Sequence, residues 1–175
     1  MRLFVAIDVG GPTRGGGTAP THLTLRFLGE VPPGRLDAIV AAIDEAVTAT
    51  PPFDLTLDGV GAFPSSDRPR VVWVGAAEGG PATVALADRV AAALEGAGFP
   101  RERDPFVPHV TLFRVRSPAD RQRALALLSG EEPPPPTRSV TVREVFLKES
   151  TLTPRGAVHR TVRAFPLGGR PADAS

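Results

Sequence analysis

The chain has no cysteine among its 175 residues. Disulfides, thiolate nucleophiles and cysteine-based zinc sites are therefore excluded. Lysine is nearly absent: of 20 basic residues, 19 are arginine and only Lys148 is lysine. Charge of one sign is not in excess, since the formal net charge is +1. That balance argues against a strongly salt-steered duplex binder, while arginine still suits paired gripping of a phosphate. No apolar run approaches 18 residues, and the opening Met1–Ile7 reaches Asp8 too soon for a signal segment, so a cytoplasmic protein without membrane spans is expected. No His-x-x-x-His spacing occurs, and neither of the histidine motifs described next has an acidic neighbour, so no metal ligand set is expected.

What is present is a tetrapeptide that occurs twice, His22-Leu23-Thr24-Leu25 and His109-Val110-Thr111-Leu112. Each lies in a short apolar stretch that reads as a strand. Alternation puts each histidine and its threonine on one face, about 7 Å apart along the strand, with the intervening residues turned to a core. Arg26, four residues after His22, falls on the motif face of an ideal strand. Arg114, five after His109, falls on the opposite face and reaches the motif side only through a twist or bulge.

Around these motifs the sequence predicts a strand over 2–8, a glycine-rich loop over 10–19 and a motif strand ending at Gly29. A helix opening at Pro32-Pro33 follows, with Leu36, Ile39, Val40, Ile43 and Val47 on one face. Strands are expected from Phe53 to Phe63 and over 70–75, then a helix from Pro81 to about Gly96. The second motif strand covers about 107–115. Ser117-Pro118 caps a shorter helix to about Leu128. Strands over 140–147 and 158–167 end the pattern, with 168–175 a disordered tail.

Laid on itself at an offset of 87 residues, the chain repeats in order: His22 on His109, the helix at Pro32 on that near Ala119, Phe53 on Val140 and Val71 on Val158. One domain over 1–167 is expected, with repeats at about 22–75 and 109–167. In the second half a helix separates Val72 from His109, 37 residues on, whereas Val5 precedes His22 by only 17, so the matching helix is expected to be missing from the first half, with the glycine-rich stretch in its place and a parallel crossover barely spanned.

Two opposed histidines can divide an in-line displacement at phosphorus. One takes a proton from the attacking hydroxyl or water and the other gives one to the leaving oxygen. Thr24 and Thr111 can donate to the non-bridging oxygens as charge builds there. His159 belongs to no such motif and reads as a half-exposed strand residue. Trp73 and phenylalanines 63, 106 and 113 read as core rather than as a stacking platform, and Arg68 and Arg70 as solvated turn charges.

The two motifs with their flanks, Thr21–Glu30 and Phe106–Arg114, together with Met1–Asp8, Gly61–Pro64, Pro69–Gly75 and Ser150–Gly156, resemble the LigT-like RNA 2′,3′-cyclic phosphodiesterases, or 2′-5′ RNA ligases, of the two-histidine phosphoesterase superfamily. The resemblance implies an α+β fold of two pseudo-twofold-related lobes, with antiparallel-rich sheets, helices outside and a central cleft. It implies a monomer that opens 2′,3′-cyclic phosphate RNA ends to 2′-phosphates without metal or other cofactor, with weak reversible 2′-5′ ligation through the same site. It assigns His22 as general acid on O3′, His109 as general base, and Thr24, Thr111 and Arg114 as phosphate-binding residues. His159 stands where the family usually has tyrosine, and the first crossover helix of the family is the one missing here. Two other readings stay open: the same chemistry on a small cyclic nucleotide or ADP-ribose cyclic phosphate, and a non-catalytic module that binds RNA ends.

Overall fold

The structure, a computed structural model, describes residues 1–10 and 22–168. Two four-stranded antiparallel sheets carry three helices on the outside. One sheet runs β2 (His22–Glu30), β1 (Arg2–Asp8), β7 (Glu144–Thr153), β8 (Gly156–Pro166). The other runs β5 (His109–Arg114), β4 (Pro69–Ala76), β3 (Phe53–Pro64), β6 (Arg138–Val142). Each motif strand is thus an edge strand, and β2 and β5 approach one another. The helices are α1 (Leu36–Thr48), entered through a 3-10 turn at Pro33–Arg35, α2 (Gly80–Gly96) and α3 (Pro118–Ser129). No helix among the described residues is long and apolar enough to cross a membrane.

Alternation decides what each strand gives to the core and what to the cleft. Along β1, Leu3, Val5 and Ile7 are buried with Leu23 and Leu25 of β2, Ile39, Ile43 and Val47 of α1, and Leu86, Val90 and Leu94 of α2. Arg2 and Phe4 point to the opposite, cleft face. Helix α3 covers a smaller apolar cluster of Val72, Ala124 and Leu127. Its N-terminus is closed as the sequence predicts: the Asp120 amide donates to Ser117 Oγ (3.1 Å), and Asp120 Oδ2 accepts from the Arg116 amide (2.9 Å).

Three expectations are corrected by the topology. First, β1 and β2 are antiparallel neighbours, as are β4 and β5, so no parallel crossover joins either pair; α2 lies between β4 and β5, while the place of the helix expected to be missing between β1 and β2 falls outside the described residues. The glycine-rich stretch itself, apart from Gly10, lies outside the described residues, as does the tail beyond Gly168. Second, the alternating run 140–147 is two strands. Residues up to Val142 pair with β3, and from Glu144 the chain pairs with β8 and then β1, crossing from one sheet to the other at Arg143. Third, β4 and β8, matched by the 87-residue offset, hold different places. β4 lies between β3 and β5, whereas β8 lies outside β7 and the corresponding inner position is filled by β1.

Candidate active site

A cleft of about 940 Å³ lies between the two sheets, and His22, Thr24, His109, Thr111 and Arg114 all line it. On both motif strands the histidine and threonine are half-buried, while Leu23, Leu25 and Val110 are buried behind them.

Arg114 reaches the cleft through a bulge. On β5, Thr111 pairs with Trp73 and Phe113 with Val72, so Leu112 is an extra residue with no partner of its own. An extra residue inverts the alternation that follows it, and the motif face resumes at the fifth residue after the histidine instead of the fourth. The same device occurs on β2, where Thr24 pairs with Ala6 and Arg26 with Val5, leaving Leu25 extra. Arg26 is therefore not on the motif face, contrary to the ideal-strand expectation. It is buried, and its guanidinium donates to the Pro100 carbonyl. Phe27 takes the cleft position and is 62% exposed.

Each imidazole is held by two rings. The His109 ring stands edge-on to Phe63, with centroids 4.9 Å apart at 87°, and 5.9 Å from Trp73. Trp73 is seated over Gly61, where a Cβ would come within 2.3 Å of the indole. His109 Nδ1 lies 2.7 Å from the Val107 carbonyl oxygen. A carbonyl can only accept, so Nδ1 carries the hydrogen and Nε2 is left with its lone pair when the ring is neutral. On the other side His22 packs 5.1 Å from Phe4 and 5.0 Å from His159, and His159 in turn lies 5.0 Å from Phe4.

His159 is exposed, as the sequence suggests, but it is a wall of the cleft and a neighbour of His22, which the reading of an isolated strand residue missed. Phe63 and Trp73 are likewise not simply core, since they support His109. Lys148 also lines the cleft, 2.6 Å from Asp8 through Nζ and Oδ1. A usable signal for it was present: a composition that replaces nearly every lysine with arginine makes one lysine in an apolar strand conspicuous. No comparable sequence signal distinguishes Phe4 from the core residues around it.

Burial, then the positive charges of His159 and Lys148, push the proton affinity of His22 down, to a pKa of about 4, against the opposing pull of Asp8. His159 is also lowered, first by burial and then by Lys148. An unfolded histidine titrates near pH 6.5, so between about pH 6.5 and 4 the unfolded chain binds more protons than the folded one. Stability is therefore expected to fall as pH drops through that window, by at most about 3 kcal/mol from His22. Urea midpoints measured across it should depend less on pH in His22→Gln; an unchanged slope would contradict the assigned direction.

Comparison with known proteins places the chain among relatives. The family model of the 2′-5′ RNA ligase superfamily matches residues 14–151. An RNA 2′,3′-cyclic phosphodiesterase of Aeropyrum pernix is 39% identical over 143 residues, covering 81% of this chain and 78% of that protein. One of Archaeoglobus fulgidus is 37% identical over 186 residues, covering 94% and 99%. Among solved structures, a Thermus thermophilus protein superposes with a TM-score of 0.71 at 30% identity, covering 98% of this chain and all of that one. Escherichia coli LigT complexed with 3′-AMP gives 0.69 at 27% identity, covering 95% and 97%.

Proposed function

Because this chain belongs to the 2′-5′ RNA ligase superfamily, we propose that it is a hydrolase of 2′,3′-cyclic phosphate RNA ends, yielding a 2′-phosphate. The observation that carries this is the meeting of both His-x-Thr pairs and Arg114 in one cleft between the sheets.

In this reading the cyclic phosphate sits between His22 and His109. His109 Nε2 takes a proton from a water as its oxygen attacks phosphorus, and the P–O3′ bond breaks in line. His22 gives its proton to the departing O3′. The pair ends with the proton on the other histidine and is reset by exchange with solvent. Thr24 and Thr111 donate to the non-bridging oxygens, and Arg114 supplies a fixed positive charge with paired donors. The Nδ1 contact with Val107 supports His109 as the base, since it keeps an unprotonated nitrogen available. His22 has to be charged to serve as the acid, and a phosphodiester anion beside the ring raises its proton affinity from the low value of the free protein. With a 5′-hydroxyl in place of water as the nucleophile, the same opening forms a P–O5′ bond as P–O3′ breaks, which is 2′-5′ ligation, and its reverse is cleavage of that linkage. No step requires a metal or another cofactor.

The test is an oligonucleotide ending in a 2′,3′-cyclic phosphate, incubated with the protein and EDTA, with the products mapped. A 2′-phosphate end is expected. A 3′-phosphate would reverse the leaving oxygen, loss of activity in EDTA would require a metal, and binding without turnover would leave an RNA-end-binding module. Small cyclic nucleotides and ADP-ribose cyclic phosphate run alongside show whether RNA is the preferred substrate.

A further inference from the structure

The two lobes do not offer the phosphate the same groups. On β5 the fifth residue after the motif histidine is Arg114, but on β2 it is Phe27. The cations facing the cleft on the His22 side come from other strands, Arg2 from β1 and Lys148 from β7. Lys148 is the only lysine in the chain, is 5% exposed, and still lines the cleft. It pairs across the sheet with Phe4, the ring on which His22 and His159 both rest. Its Nζ is tied to Asp8 Oδ1 at 2.6 Å, and Asp8 is the cross-strand partner of His22.

A buried ammonium needs partners for three N–H donors, and one carboxylate does not use all of them with good geometry. Among the described residues lining the cleft, Arg2, Arg114 and Lys148 are fixed cations and none is a carboxylate. With Asp8 balancing Lys148 from behind the lining, Arg2 and Arg114 still leave the cleft surface net positive, which suits an anion. The ammonium also makes itself felt at the site, disfavouring a proton on both His22 and His159.

We propose that Lys148 is a phosphate-binding residue, the counterpart on the His22 side of Arg114, donating from β7 to an oxygen of the substrate phosphate while Asp8 holds its stem in place. The inference rests on the cyclic phosphodiesterase reading for the nature of the anion. It adds a residue from outside the two motifs, on a strand that neither motif implicates.

The uniqueness of this lysine makes the test direct. Wild-type protein labelled only at lysine gives one side-chain signal set, and titration with inorganic phosphate is expected to shift the Lys148 Cε resonance with the midpoint that calorimetry finds. In parallel, Lys148→Met is expected to weaken inorganic phosphate binding by about 10–100-fold, the usual worth of a charge-assisted hydrogen bond, with Lys148→Arg retaining part of it. Since Lys148→Met strands Asp8, the double variant Asp8→Asn with Lys148→Met repeats the measurement with both charges removed, and melting curves show which variants are folded. A Lys148 signal that stays still while phosphate binds, or a folded Lys148→Met protein, single or double variant, that binds phosphate within about twofold of wild type, overturns the proposal. If either occurs in a protein that still opens cyclic phosphate ends, the lysine assignment alone fails. A wild-type protein that neither binds phosphate nor turns over overturns both readings.

Discussion

Replacing His109 with alanine is expected to slow hydrolysis of a 2′,3′-cyclic phosphate RNA end by about 10²–10⁴-fold, and replacing His22 by a similar factor. The double variant should be little slower than either single one, because the two histidines serve one displacement. Single-turnover rates with saturating enzyme and EDTA measure this free of binding effects. A substrate with sulfur in place of O3′ separates the roles. A thiolate leaves without a proton, so it should restore much of the rate to His22→Ala and none to His109→Ala. Rescue of the His109 variant instead would exchange acid and base, and a wild-type rate in either single variant would remove that histidine from the chemistry. The fold is expected to tolerate both changes. Each imidazole is half-buried at the cleft wall, and the neighbouring rings remain seated on Gly61 and on β1.

Gly79→Ala is expected to be the most damaging small substitution away from the cleft, at about 2–5 kcal/mol from left-handed strain and overpacking together. Gly79 closes the N-terminus of α2 with φ +79°. A Cβ there would lie 2.1 Å from the Asp54 carbonyl oxygen and 3.0 Å from the Leu55 Cα. Neither neighbour can yield by turning a side chain. Leu55 is fully buried in β3, which is paired on both sides, and Thr56 is bonded to the same turn through the Glu78 carbonyl and the Ala77 amide, each at 2.8 Å. The turn is fixed from the helix side too, since the Thr83 amide and hydroxyl both donate to the Gly79 carbonyl. Denaturant unfolding measures the loss. A change below about 1 kcal/mol would mean that the turn can move off β3 freely.

Periodicity in the sequence made α1 and the Ser117 cap legible because both are local, and each motif strand was legible from its apolar alternation. What local pattern does not encode is which strand pairs with which. In the run 140–147 the alternation slips by one residue at Arg143-Glu144, between the buried Val142 and Val145, and there the chain changes sheets. The pattern records the face turned inward and is silent about the neighbour. The motif residues were found because His-x-Thr occurs twice, while the fates of Arg26 and Arg114 were hidden in two leucines. Leu25 and Leu112 look like ordinary core positions, and only cross-strand pairing reveals them as extra residues that invert the faces beyond them. Lys148 and His159 reach the site by long-range pairing, from strands more than a hundred residues away from His22.

The position of β1 bears on how the molecule assembles. The sheet that carries His109 is drawn from one continuous stretch, β3 to β6. The sheet that carries His22 is drawn from both flanks of that stretch, with Leu3 opposite Glu149 at its centre. One half of the site can therefore form from the middle of the chain alone. The other half needs the closure of a loop that contains the whole first half, the entropically slower pairing. His22 and His109 are thus equals in the finished cleft and unequal in the order of its making: a protein interrupted before β7 would already hold the strands that support His109 and would lack the inner pairing on which the His22 wall is built.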